Sequence, residues 1–280
     1  MTDFGIAGLQ LELPHSNNLE TIKREVYLTK KIFPWIKMIV LSELSSYGSS
    51  ISFAQAIKGE AYKFYSELAR DNEIFLVTGS YFTKDSNTIS NMSLVFTPNG
   101  EELARYSKMF PFEPYETGIT PGNDFCVFDI PKIGRFGLSI CYDMWFPETT
   151  RTLACMGAEV IIHPTMTSTV DRDAELSIAI SSAVTNQVYF FDINGAGKIG
   201  NGKSIIVSPE GDIIYQAGSG REIIPVNIDL DYLRKTRKNG VKGLGQPLKS
   251  FHKNKVKFPV YKDGFSSESL EDLGDIKKPK

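Results

Sequence analysis

GRFGLSICYDMWFPE, residues 134–148, is an apolar run that ends at Cys141 and gives way to the helix-like stretch PETTRTLACMGA at 147–158. Such a run reads as a strand that turns sharply into a helix. A side chain at that turn is lifted off the sheet, so Cys141 is expected to face a pocket. Strand, turn and helix in this order place the chain among the α/β folds.

The alternation extends in both directions. FGIAGLQLE (4–12) reads as a strand, LETIKREVYLTKKIF (19–33) as a helix, KMIVLSE (37–43) as a strand, FAQAIKGEAYKFYSELAR (53–70) as a helix and EIFLVTGSYF (73–82) as a strand. Pro98-Asn99-Gly100 is turn chemistry and makes SNMSLVFTPNGEELARYSK (90–108) a hairpin. FCVFDIP and IGRFGLSIC follow as strands. Beyond the first helix after Cys141 come the strand EVIIHPT (159–165), the helix DAELSIAISSAVTNQ (173–187) and four further strands ending near Leu230. Helices interspersed among crossovers and hairpins predict mixed sheets covered by helices on their outer faces, a layered α/β sandwich. No linker or composition shift divides positions 1–235, so one domain is expected there. Residues 236–280 then form a C-terminal extension in which KVKFPVY (255–261) is an apolar patch in a basic tail, expected to dock on a partner subunit.

Composition excludes several functions. The 280 residues are 41% hydrophobic, ample for a packed core. Thirty-one basic against thirty-three acidic residues leave no footprint for nucleic acid or an anionic membrane. The N-terminus lacks the pattern of a signal peptide, and no apolar run reaches membrane-spanning length. Three cysteines, Cys126, Cys141 and Cys155, with no C-x-x-C pair, indicate neither a disulfide framework nor a zinc site. A cytoplasmic location is expected. NGAGKIGNGKS (194–204) lacks phosphate-loop spacing and reads as a turn, so no nucleotide, metal or other cofactor is expected.

Two further apolar runs close on ionisable residues: Glu43 in KMIVLSELSSYG and Lys108 in EELARYSKMFPFEPYE. A thiol with a reference pKa of about 8.5 is only a few per cent thiolate at neutral pH and needs a base or a nearby cation. Glu43 and Lys108 supply both. As a thiolate adds to a carbonyl, charge develops on oxygen, which an ammonium and the backbone N–H of Tyr142 are suited to receive. His163 is the one histidine at a strand end. A run of β-branched residues leads into it, so it is assigned a structural place and a Cys-His enzyme is disfavoured. Cys126 and Cys155 read as small core residues.

These three motifs in order resemble those of the carbon-nitrogen hydrolase (nitrilase) superfamily: SELSSYG around Glu43, YSKMFPFEPYETGITPG around Lys108 and GLSICYDMWFPE around Cys141. The resemblance runs from residue 4 to about 235. It implies a four-layer αββα sandwich, commonly paired into a homodimer, and hydrolysis of a non-peptide C–N bond through a thioester. Cys141 is then the nucleophile, Glu43 the general base and later acid, and Lys108 the stabiliser of the tetrahedral intermediate. A second carboxylate is expected beside the lysine; Glu113 and Glu116 both qualify, and Glu116, just ahead of TGITPG, fits the family spacing better. Tyr47, Tyr115, Tyr142, Trp145 and Thr165 are candidates to bind substrate.

The cysteine motif resembles the amidase and carbamoylase branches more than true nitrilases, whose motif carries Cys-Trp-Glu. Met144 and Trp145 stand where enzymes cleaving N-carbamoyl-D-amino acids carry basic residues to clamp a carboxylate. The expectation is an amidase that releases ammonia or an amine from a small linear amide. An N-carbamoyl hydrolase, a nitrilase and an inactive scaffold on the same fold are the alternatives.

Overall fold

The computed structural model describes residues 2–278. The first half comprises β1 (Asp3–Gln10), α1 (Leu19–Ile32), β2 (Met38–Leu41), β3 (Gln55–Ala56), α2 (Glu60–Asp71), β4 (Phe75–Val77), β5 (Tyr81–Asp85), β6 (Thr88–Phe96) and β7 (Glu102–Ser107). The second comprises β8 (Cys126–Ile130), β9 (Gly134–Leu138), α3 (Pro147–Cys155), β10 (Val160–Thr165), α4 (Arg172–Asn186), β11 (Tyr189–Asn194), β12 (Ile205–Val207), β13 (Ile213–Gln216), β14 (Glu222–Asp229) and α5 (Leu230–Asn239).

Two mixed sheets result. One runs β14-β1-β2-β4-β6-β5-β3 with β7 added on β6, and the other runs β13-β12-β11-β10-β9-β8. β1, β2 and β4 are parallel neighbours, as are β9, β10 and β11, because each pair is joined by a crossover. Antiparallel members come from hairpins such as β6 and β7, where Met92 pairs with Ser107, and from the long-range pair of β1 with β14, where Asp3 pairs with Asp229.

The central strands are apolar on both faces, and their alternation creates the layers. Met38 and Val40 of β2 pack between the sheets against a cluster that includes Phe136, Leu138, Val160 and Ile162. Ile39 and Leu41 face the other way and share a core with Ile22 and Val26 of α1 and Tyr65 and Leu68 of α2. In the second sheet Ile161 and Phe190 turn outward to Leu153 of α3 and Ala179 and Ala183 of α4. The order is helix, sheet, sheet, helix, the αββα sandwich expected.

Two local expectations are corrected. The stretch 73–82 forms two strands, β4 and β5, because Gly79 takes φ +65 between them. A Cβ there would lie 1.9 Å from the Ser42 carbonyl oxygen, so only glycine fits beside the chain leading to Glu43. The helix read from Phe53 starts only at Glu60, since Ile51–Phe53 forms a short 3-10 turn, Gln55–Ala56 pairs as β3 and Gly59 is extended.

α5 is tied into the body by Leu230 and Leu233, both buried in the intersheet cluster. Beyond it the chain lies along the surface, with Val256, Phe258, Val260 and Tyr261 exposed. The Tyr261 hydroxyl donates to Glu148 at 3.0 Å, and the Arg151 guanidinium stands 5.1 Å from the Phe251 ring centroid. Among the described residues no helix is long and apolar enough to cross a membrane.

Candidate active site

Parallel strands deliver their following residues to one edge, and here both sheets do so on the same side. Glu43 follows β2, Lys108 follows β7 and Cys141 follows β9. The Glu43 N–H donates to the Thr165 carbonyl at 3.2 Å, joining the end of β2 in one sheet to the end of β10 in the other.

Cys141 opens a single 3-10 turn, Cys141–Trp145, and its backbone is left-handed, with φ +46. That conformation costs a non-glycine residue of order 1–3 kcal/mol and is held only when the surroundings fix it. Asp143 fixes it. Its buried carboxylate accepts the Ile140 N–H at 2.8 Å, the Phe110 N–H at 2.9 Å and the Tyr106 hydroxyl at 2.6 Å. Burial raises Asp143 to about 6, while these donors oppose the shift and keep it a carboxylate at neutral pH.

Lys108 is fully enclosed. Its Nζ donates to Glu43 Oε1 at 2.9 Å and to Glu116 Oε2 at 2.7 Å. Asn91 holds the same two carboxylates from its amide nitrogen, at 2.8 Å to Glu43 and 3.3 Å to Glu116. Glu116 also accepts the Phe112 N–H at 2.6 Å. The exposed Glu113 makes no such contact with Lys108.

The electrostatics follow from burial and pairing. Burial alone lowers Lys108, but the charges of Glu43, Cys141 and Glu116 outweigh it and push the ammonium well up. Glu43 is raised by burial, with Lys108 pulling it back and Glu116 adding to the rise. The Cys141 thiol is pushed well up, first by burial and then by the Glu43 charge, against the pull of Lys108. The resting site therefore holds a neutral thiol, a fixed ammonium and a carboxylate whose proton affinity is enhanced, a set suited to moving a proton from sulfur to oxygen.

Two lobes of one cleft meet at Cys141. The smaller, about 260 Å³, is lined by Glu43, Lys108 and Glu116 together with Phe82 and Ile119. The larger, about 410 Å³, is lined by Tyr115, Tyr142 and Trp145 and by Thr167, Asp171 and Glu175. Tyr115, Tyr142 and Trp145 therefore line the cleft.

Tyr47 and Thr165 do not line either lobe. Leu44, with φ +51, swings the chain away after Glu43, and Tyr47 is buried on the helix side, its ring stacked on Phe53 with centroids 6.0 Å apart. Thr165 is fully buried and spends its hydroxyl on Asp192 at 2.8 Å. His163 is likewise enclosed, with Nδ1 2.7 Å from the Ser139 hydroxyl, and burial lowers it to about 4. Asn91, Asp143 and Glu175 were not singled out from the sequence. For Asn91 the signal was present, an amide on a strand whose following residues are all apolar or small; for Asp143 it was a carboxylate beside the nucleophile.

Comparison with known proteins places the chain in a family. The carbon-nitrogen hydrolase family profile matches residues 8–238. The chain is similar to omega-amidase NIT2 of Homo sapiens, 30% identical over 256 residues that span 85% of this chain and 92% of the relative. It is also similar to omega-amidase NIT2-B of Xenopus laevis, 31% identical over 210 residues, 69% of this chain and 76% of that protein. Among solved structures, Nit3 of Saccharomyces cerevisiae, a member of branch 10 of the nitrilase superfamily, superposes with a TM-score of 0.78 at 29% identity, covering 85% of this chain and 94% of the other.

Proposed function

The chain belongs to the carbon-nitrogen hydrolase (nitrilase) superfamily and is an amidase-type hydrolase, and from that premise we propose that Cys141, Glu43, Lys108 and Glu116 cleave the C–N bond of a small linear amide. The observation that carries the assignment is the Lys108 ammonium held between Glu43 and Glu116 in the same cleft as the only thiol placed on a left-handed turn among the described residues.

Substrate binds with its carbonyl carbon against Cys141 Sγ and its nitrogen toward Glu43. The thiol proton passes to Glu43 as the S–C bond forms, and the carbonyl oxygen, now negative, is met by Lys108 Nζ and the Tyr142 N–H. Glu43 returns the proton to the nitrogen, the C–N bond breaks and ammonia or an amine leaves, with Cys141 carrying the acyl group as a thioester. Water then loses a proton to Glu43, adds to the thioester carbonyl and releases the carboxylic acid and the thiol. Glu116 and Asn91 position Lys108 and Glu43 throughout. A site that alternates one proton between sulfur, nitrogen and water needs no group beyond these side chains.

Free thiols at Cys126, Cys141 and Cys155 suit a reducing compartment, and we place the protein in the cytoplasm. The exposed apolar side chains after Lys253 support a homodimer in which the extension covers a partner surface.

Mass spectrometry of the intact protein mixed briefly with a simple aliphatic amide tests the mechanism. The wild type should carry an increment equal to the acyl group at Cys141 and release ammonia, and Cys141→Ala should do neither while Cys126→Ala and Cys155→Ala do both. Turnover that survives in Cys141→Ala would sink the assignment.

A further inference from the structure

The larger lobe of the cleft differs in character from the smaller one. Along one wall stand the rings of Phe112, Tyr115, Tyr142 and Trp145, with Phe112 within 4.9 Å of Tyr115 and 4.8 Å of Tyr142, centroid to centroid. The same lobe is lined by Glu175, 2% exposed, whose charge is close enough to raise the Cys141 thiol. Glu175 accepts the Thr167 hydroxyl at 2.9 Å and Arg172 Nη1 at 3.0 Å, and Asp171 adds a second carboxylate at the rim.

Arg172 does not offer a positive charge to the lobe. Nη1 also meets Asp192 at 2.7 Å, Nη2 donates to the Lys203 carbonyl at 2.8 Å, and the side chain is 1% exposed. One guanidinium thus stands between two buried carboxylates, so no net positive charge is left behind the wall. No lysine, arginine or histidine lines the larger lobe among the described residues. The aromatic wall already attracts one cation: the Lys278 ammonium, from the tail, lies 5.4 Å from the Tyr115 ring centroid. Aromatic faces together with a carboxylate are the recurring environment for an alkylammonium group.

The orientation of the substrate follows from the chemistry. Glu43 must reach the departing nitrogen, and Glu43 lines the smaller lobe, so the acyl substituent extends into the larger one. We propose that the acyl chain of the preferred substrate ends in a protonated amine, held between Glu175 and the Tyr115, Tyr142 and Trp145 rings, and that an acyl chain ending in a carboxylate is selected against. This rests on the amide-hydrolase reading of Cys141.

Three amides of nearly equal shape separate the possibilities: 4-aminobutanamide, pentanamide and glutaramate, which end in an ammonium, a methyl and a carboxylate. For the full-length protein, kcat/KM should be about tenfold higher for 4-aminobutanamide than for pentanamide and lowest for glutaramate. Glu175→Gln should bring the first ratio close to one. In the unsubstituted protein n-butylammonium should inhibit pentanamide hydrolysis more strongly than pentanoate does, a readout independent of any variant. Equal rates on all three amides, or a preference for glutaramate, would overturn the proposal and leave amide hydrolysis standing. Absence of ammonia from all three would overturn both.

Discussion

The Tyr106 hydroxyl donates to Asp143 Oδ2 at 2.6 Å, and the same oxygen accepts the Ile140 N–H at 2.8 Å. Tyr106 lies two residues before Lys108 and Ile140 one before Cys141. A single buried carboxylate therefore holds the proposed nucleophile and the proposed oxyanion cation at a fixed separation, although they come from different sheets.

Asp143→Asn should expose that dependence. One amide oxygen cannot take all three donors, and its NH2 faces N–H groups. Leaving a buried donor unsatisfied costs about 1–3 kcal/mol, so the melting temperature should drop by several degrees. We expect kcat to fall further than Tyr106→Phe makes it fall, since the latter removes only one of the three bonds. Steady-state kinetics and thermal melts of both variants check the order; a wild-type kcat in Asp143→Asn would show that Asp143 acts only on stability.

Lys108→Met should lower kcat by about 100- to 1000-fold with a smaller change in KM, because its ammonium matters most once negative charge appears on the carbonyl oxygen. Lys108→Arg should rescue poorly, since a planar guanidinium does not fit a pocket closed around a compact ammonium by Glu43 and Glu116. A raised KM with kcat unchanged would make Lys108 a binding group instead.

Acid should destabilise the protein through His163. Its folded-state value is lowered to about 4 by burial, below the ordinary value near 6.5. Between these two values the unfolded chain binds a proton that the folded chain refuses, so stability is lost as pH falls through that window and changes no further from this group below about 4. Urea melts from pH 7.5 to 4 should show a shallower acid limb in His163→Gln than in the wild type. Parallel limbs would count against the buried neutral ring.

Glu175 carries the opposite sign. Burial, followed by the Asp192 charge, raises it to about 7, so its contribution is intact below the unfolded value near 4.5 and is lost as pH rises toward 7. The stability of Glu175→Gln relative to wild type should therefore improve from pH 5 to pH 8. Denaturant midpoints across that range measure the difference, and a Glu175→Gln protein that loses stability relative to wild type as pH rises would contradict it.

Removal of residues after Lys253 keeps α5 and its buried Leu233 while deleting the exposed apolar segment. Light scattering should then show a loss of association at micromolar concentration. A full-length protein that is monomeric and fully active would refute the proposed dimer.

Glu43, Lys108 and Cys141 were legible because each closes an apolar run, and the ends of such runs converge when strands pair side by side. Asn91 was not, because it meets Glu43 only when β6 lies between β4 and β5, a strand order that no local pattern encodes. Tyr47 misled for a related reason: sequence proximity to Glu43 meant nothing once Leu44 took φ +51 and reversed the direction of the chain. Glu175 and Asp192 stand seventeen residues apart and read as ordinary helix and strand positions. Their burial depends on Arg172 lying between them, which is a tertiary fact.

The left-handed backbone at Cys141 has a consequence for protein engineering. Reactivity here is bought with stability, because a side chain at φ +46 carries a steric cost that glycine does not. Elsewhere glycine is the poorer replacement; at this position the order should invert, with Cys141→Gly more stable than Cys141→Ala by about 1 kcal/mol. The most robust versions of this fold are then those that have given up the thiol, and selection for thermal endurance alone would drift toward an inert protein.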